Sequence, residues 1–225
     1  MANIVVDTFV KGGPVMWPIL VTSLTAASVV AERAIWWIGT GAKRESKRLE
    51  QVYAALEQGD LEKASRQARD TKDPVLQVVW HGLNHHHTSL QNALQVSAGV
   101  QIESAGRFLG VLDTIITLAP LLGLLGTVTG IMEAFRFVGS EDLQAIKVSG
   151  GVAEALIATS AGLAIAIFTL IPYNYFSSRV AKLTFEIQTA ATNVEVLLEA
   201  GKKNREANRN TNSIPAHEAA LSHSS

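Results

Sequence analysis

The sequence predicts an all-α membrane protein: three transmembrane helices with long cytoplasmic helical extensions. Three observations predict this. Residues 12–31, 114–132 and 155–178 contain no Asp, Glu, Lys or Arg, and about 20 apolar residues in a helix cross a bilayer core about 30 Å thick. Charged residues are only 17 % of the 225, against about 25 % in a soluble domain. The charges that exist are gathered between and after the apolar runs.

The same composition excludes several classes. Nineteen basic and 20 acidic residues leave a net charge of -1, so global positive charge does not make this a nucleic-acid binder. The chain has no Cys, which removes disulfide scaffolds, thiolate metal sites and cysteine nucleophiles. An apolar share of 48 % excludes intrinsic disorder for all but the tail.

Residues 1–14 read as a short outer N-terminal tail whose only basic residue is Lys11. Residues 15–38 form the first span. Trp17 lies near one end and Trp36 and Trp37 near the other, where indoles mark the two interfaces. Glu32 and Arg33 fall in its last turns. The run is too long for a signal-peptide core.

Residues 39–107 form a polar, cytoplasmic helical segment. Leu49, Val52, Leu56, Leu61 and Ala64 suggest an amphipathic helix or helix pair, punctuated by Gly59-Asp60. Asp73-Pro74 starts a new helix, with Pro at its first position. A further helix begins near Leu90 and is expected to run unbroken into the second span, residues 108–138.

A short outer loop, 139–147, makes the third span, 148–176, the antiparallel partner of the second. Leu183, Ile187, Ala190, Val194, Leu197 and Leu198 continue near heptad spacing through 177–201, a cytoplasmic helix. Residues 202–225, rich in Asn, Ser, His and Ala with Pro215, read as a disordered tail. Lys43, Arg44, Lys47 and Arg48 follow the first span, and Arg179 and Lys182 follow the third. The positive-inside rule puts the N-terminus outside and the C-terminus in the cytoplasm.

Chemistry-bearing residues are few. Ala158, Gly162 and Ala166 recur every four residues in span three, and Gly126 and Gly130 do the same in span two. Such faces let backbones approach closely, either within one hairpin or between several chains. Glu154 is the ionisable residue inside span three. It either serves an ion path or partner from the bundle interior or reaches water near the outer interface. Thr127 and Thr159 lie eleven residues from the loop-side ends of their spans. They reach similar depth, about 16 Å by helix rise, where they form a polar ring in an oligomer or bond their own backbone. Pro120 and Pro172 each remove a backbone hydrogen bond and can kink their helices. His85, His86 and His87 point about 100° apart on a helix, which does not converge on one metal ion. No Ser/His/Asp set, phosphate loop or dinucleotide fingerprint occurs. No cofactor, metal or covalent enzymology is expected.

Two segments carry a resemblance. Ala119-Pro-Leu-Leu-Gly-Leu-Leu-Gly-Thr-Val-Thr-Gly-Ile-Met and Gly151-Val-Ala-Glu-Ala-Leu-Ile-Ala-Thr-Ser-Ala-Gly-Leu, with Tyr173-Asn174 after it, resemble the paired signatures of the MotA/TolQ/ExbB proton-channel family. Gly12-Gly-Pro-Val-Met-Trp-Pro and Glu32-Arg33 are similar to ExbB-like members. The resemblance spans about residues 10–200, and three spans resemble ExbB or TolQ rather than four-span MotA. It implies a homopentameric ring in the bacterial inner membrane. Spans two and three would line a pore around an ExbD- or TolR-like single-span partner carrying a membrane Asp. Proton flow would then work a TonB- or TolA-like protein. Thr127 and Thr159 match the pore-lining threonines, and Glu154 the acidic position. Phe168 stands where many relatives have Pro, with Pro172 one turn later, and Thr129 stands where close relatives have Trp. Asp113 is a further charge near the start of span two. The alternative reading is a non-conducting scaffold that assembles such a partner.

Overall fold

The structure is a computed structural model that describes residues 2–41, 43–136 and 144–222. Val138 and the centre of the short loop, residues 139–143, lie outside the described residues. The described residues form eight helices: α1 (Ala2–Lys11), α2 (Met16–Gly41), α3 (Ser46–Glu57), α4 (Leu61–Ala68), α5 (Pro74–Asn84), α6 (His86–Gly106), α7 (Leu109–Arg136) and α8 (Gln144–Ser222). Three helical stretches, one in α2, one ending with α7 and one in α8, are long and apolar enough to cross a membrane. The chain divides into two compact units, Met1–Trp36 with Gly106–Ser178, and Trp37–Ala105 with Arg179–Ser225.

In the first unit the N-terminal tail is itself helical. Its i, i+4 pair Asp7–Lys11, at 2.6 Å, supports α1 modestly, and Phe9 meets Trp17 edge-on with ring centres 5.2 Å apart. α1 stops at Gly12-Gly13, where Gly13 has φ +72°, and Pro14 follows. The chain then enters α2 through Val15, Met16 and Ile19, which are buried with Ala158 of α8.

α7 and α8 pack antiparallel through glycine. A Cβ on Gly130 would lie 2.8 Å from the Gly151 carbonyl oxygen and 3.1 Å from the Ala155 methyl. One on Gly123 would lie 3.0 Å from the Thr159 Cα. Gly126 abuts the Ala158 methyl, and Gly162 abuts the Ala119 carbonyl. The second span is not a continuation of the preceding helix. The expected unbroken helix is interrupted at Arg107-Phe108, where Phe108 takes φ +63°, a conformation costly for a residue with a Cβ.

The second unit is a bundle with a conventional apolar interior. Val52 and Leu56 of α3, Val75, Leu76, Val78 and Val79 of α5, Leu94 of α6, and Leu183, Ile187, Val194 and Leu198 of α8 are all buried. Its turns carry caps. Asp60 accepts from the Lys63 amide at 2.9 Å to start α4. Asp73 accepts from the Val75 amide at 3.0 Å, and Pro74 opens α5. Asp73 also accepts from the Glu45 amide at 2.8 Å. Its own amide donates to Thr71 Oγ1 at 3.0 Å, and that hydroxyl donates to Glu45 Oε1 at 3.0 Å. Burial pushes the Tyr53 phenol above its ordinary value, while a hydrogen bond with Asn193 of α8 opposes the shift.

The backbone of α8 stays helical to Ser222, past Lys202, where composition suggested disorder. Lys202, Lys203, Arg205, Glu206 and Ala207 are strong helix formers that extend a helix already begun.

Candidate functional site

The candidate residues all lie in the first unit, on α7 and α8 and the turn that meets them. Thr159 is held by α7. Its Oγ1 donates to the Gly123 carbonyl at 2.9 Å, 36 residues away in sequence. Gly123 makes this possible, because a side chain there would collide with the Thr159 backbone. The Thr159 hydroxyl thus bonds the neighbouring span's backbone rather than its own. With its proton committed, Oγ1 retains only acceptor capacity toward any further partner.

Thr127 bonds its own helix, donating to the Leu124 carbonyl at 2.6 Å. The two threonines border the same seam but are not at one level. The seam sets Gly123 against Thr159, Gly126 against Ala158 and Gly130 against Gly151 and Ala155. In that register Thr127 lies level with about Leu156, three residues or roughly 4.5 Å from Thr159 along the helix. Counting from the span ends placed them together. Glycine packing sets a register one turn different.

Glu154 is half-buried and faces elsewhere. Five residues before Thr159, it points about 140° away around α8. Its carboxyl group is seated over the turn between α1 and α2. A Cβ on Gly13 would lie 2.5 Å from the Glu154 carboxyl carbon and closer still to Oε1. The structure therefore brings Thr159 and Thr127 to the α7–α8 seam and takes Glu154 to the α1–α2 turn.

Pro120 sits inside α7, one residue from the Ala119 carbonyl that packs on Gly162. Pro172 lies within α8 with the helix continuous on both sides. Thr129 donates to the Leu125 carbonyl at 3.0 Å. Among the described residues no group of three His, Asp or Glu is placed to hold a metal ion.

Sequence reasoning gave no role to Arg33. Its side chain is 1 % exposed. It is paired with the adjacent Glu32 through Nε at 2.5 Å and Nη2 at 2.6 Å. The guanidinium also lies 5.3 Å from the Trp36 ring centre and 5.9 Å from that of Phe108. Arg107 covers Phe108 as well, at 4.6 Å. Cation–π contacts of this kind hold the left-handed Phe108 at the head of α7. The aromatic residues near Arg33 were the available signal.

The profile of the MotA/TolQ/ExbB proton channel family matches residues 67–189, which contain Thr127, Glu154 and Thr159. The chain belongs to this family. It is 34 % identical to the biopolymer transport protein ExbB-like 1 of Synechocystis, over 76 % of this chain and 70 % of that protein. It is 31 % identical to ExbB-like 3 of the same organism, over 83 % and 91 %. With the Tol-Pal system protein TolQ of Pseudomonas aeruginosa it shares 30 % identity, over 85 % and 91 %. The chain is thus an ExbB/TolQ-like, multi-pass membrane protein of a proton-channel motor family. That family is of the transport and channel type.

Proposed function

We propose that this chain is the channel subunit of an ExbB/TolQ-type motor in a bacterial inner membrane. Five copies form a ring with α7 and α8 innermost. The ring surrounds the membrane helices of an ExbD- or TolR-like partner whose Asp carries protons. The motion drives a TonB- or TolA-like protein for outer-membrane transport or envelope maintenance. The N-terminus lies outside and the C-terminus in the cytoplasm, as the Lys and Arg clusters after α2 and near Arg179 favour.

The observation that carries the reading is the family match across a hairpin whose two helices are locked by glycine contacts and by the Thr159–Gly123 hydrogen bond. Three spans do not enclose an aqueous path alone, so a path requires several copies. Thr159 adds a directional feature. Its oxygen accepts, so it favours the protonated, neutral form of a passing carboxyl group, which donates. A neutral carrier avoids the cost of a bare carboxylate in an apolar centre.

The test coexpresses the chain with an ExbD- or TolR-like single-span partner and measures proton-motive-force-dependent uptake or envelope integrity beside oligomer yield. Thr159→Val and Glu154→Ala are expected to assemble normally and to lose function. Wild-type function in both, with normal assembly, overturns the channel reading and favours a scaffold.

A further inference from the structure

The Glu154 carboxyl group occupies a space that exists only because residue 13 has no side chain. The nearest atoms to a Cβ built there are Glu154 Oε1, then its carboxyl carbon at 2.5 Å and Cγ at 3.1 Å. Gly13 also takes φ +72°, which L side chains rarely adopt. A Cβ built on the neighbouring Gly12 would lie 2.6 Å from Met16 Cγ and then 3.0 Å from Cγ2 of Ile157, one turn along α8 from Glu154. The double-glycine turn therefore lies along the α8 face that carries Glu154 and Ile157, and Ile157 packs against the Val15–Met16–Ile19–Ala158 core.

We infer that Gly13 is a positioning residue for Glu154, seating its carboxyl group against the α1–α2 turn and fixing the direction in which the acid points. The atoms that would be displaced by a side chain at residue 13 are the far end of a flexible side chain, not backbone. A Cβ there swings the carboxyl group away while α1, α2 and α8 keep their packing. The consequence falls on the acid more than on the fold. This role rests on the proposed part of Glu154 in the ion pathway.

Two effects of Gly13→Ala must be separated. Left-handed strain on alanine weakens the turn whatever stands at residue 154. Displacement of the carboxyl group does depend on it. Glu154→Asp draws the carboxyl group back by one methylene, so a double-mutant cycle separates the two. In the full chain coexpressed with its single-span partner, Gly13→Ala is expected to lower proton-motive-force-dependent uptake about tenfold or more, toward the roughly hundredfold that a misplacement of about 1 Å can cost. Oligomer yield should stay near wild type. In the Glu154→Asp background the same change is expected to cost less than about twofold. Gly13→Asn, which tolerates the left-handed conformation better, should be as damaging as Gly13→Ala when Glu154 is intact.

Geometry is checked separately. The chain has no native Cys, so Gly13→Cys with Glu154→Cys should close a disulfide within one chain on oxidation. Failure to cross-link overturns the seating. Equal losses from Gly13→Ala with Glu154 intact and in the Glu154→Asp background, or no loss with Glu154 intact, overturn the positioning role while the Glu154 reading stands. Wild-type activity of Glu154→Ala removes that reading itself and the inference with it.

Discussion

The α7–α8 seam of the first unit and the interior of the second are packed by opposite rules. In the first, the α7–α8 seam buries Gly123, Gly126, Gly130, Ala119, Ala155 and Ala158, while Leu121, Leu124, Leu156, Leu163, Ile167 and Phe168 face outward. In the second, Val, Leu and Ile fill the interior and the outward residues are mainly polar. The difference follows from the solvent. Lipid tails are as apolar as leucine, so helices in a membrane gain little by hiding large side chains. They gain by close backbone approach and interhelical hydrogen bonds. In water each Å² of apolar surface buried contributes about 25 cal/mol, so the large side chains go inside. Mean composition averages these two regimes and describes neither.

The comparison breaks most sharply at Gly162. Its built Cβ meets the Ala119 carbonyl and lies 3.2 Å from the Gly123 Cα and amide nitrogen, all backbone that cannot step aside. Gly162→Leu is expected to destabilise the hairpin by about 3 kcal/mol or more and to abolish oligomer recovery in mild detergent. Normal thermal stability of this variant in detergent would mean the seam is looser than its glycines require.

A matched pair of leucines sharpens the rule. Leu76 is fully buried in the second unit, whereas Leu163 is 48 % exposed in the first. Leu76→Ala should lower stability by about 2–5 kcal/mol. Leu163→Ala should stay within about 0.5 kcal/mol in detergent. Equal effects in thermal unfolding would erase the distinction between the units.

Polar order in the second unit gives the next effect. Asp73 caps α5 and binds the Glu45 amide. Asp73→Ala should cost about 1–2 kcal/mol, seen as faster limited proteolysis around residues 43–73, with the first unit's helices unaffected.

The smallest effect is electrostatic. The Glu45 carboxyl is held below its ordinary value of 4.5, chiefly by the Arg48 hydrogen bond and then by the Thr71 hydroxyl. A depressed carboxyl stabilises the fold above its unfolded pKa, and that stabilisation is lost as pH falls through the lowered folded value. Glu45→Gln should remove this small contribution at neutral pH and leave stability below the lowered folded value unchanged, so the acid side of the pH–stability curve flattens slightly. An identical acid profile in both proteins would show that the Arg48 pair contributes nothing measurable, as exposed pairs often do.

Much of this molecule is legible along the chain, because some properties are local. Three uncharged runs of sufficient length make three apolar helices wherever they are placed. Asp60 and Asp73-Pro74 start helices through bonds to residues two or three positions on. The heptad run from Leu183 to Leu198 buries the face its spacing defines. The two family signatures, carried by α7 and α8, lie within the stretch that matches the family. What the tertiary structure decided is how distant residues meet. The register of α7 on α8 is set by where glycine lets two backbones touch, so Thr127 and Thr159 stand about a turn apart although counting from span ends placed them level. Thr159 gives its proton to a carbonyl 36 residues away. Arg33 is enclosed by Glu32, Trp36 and Phe108. Glu154 reaches the space above Gly13, 141 positions distant in sequence. No pattern of neighbours along the chain encodes these pairings, because each is fixed by the fit of surfaces that folding alone brings together.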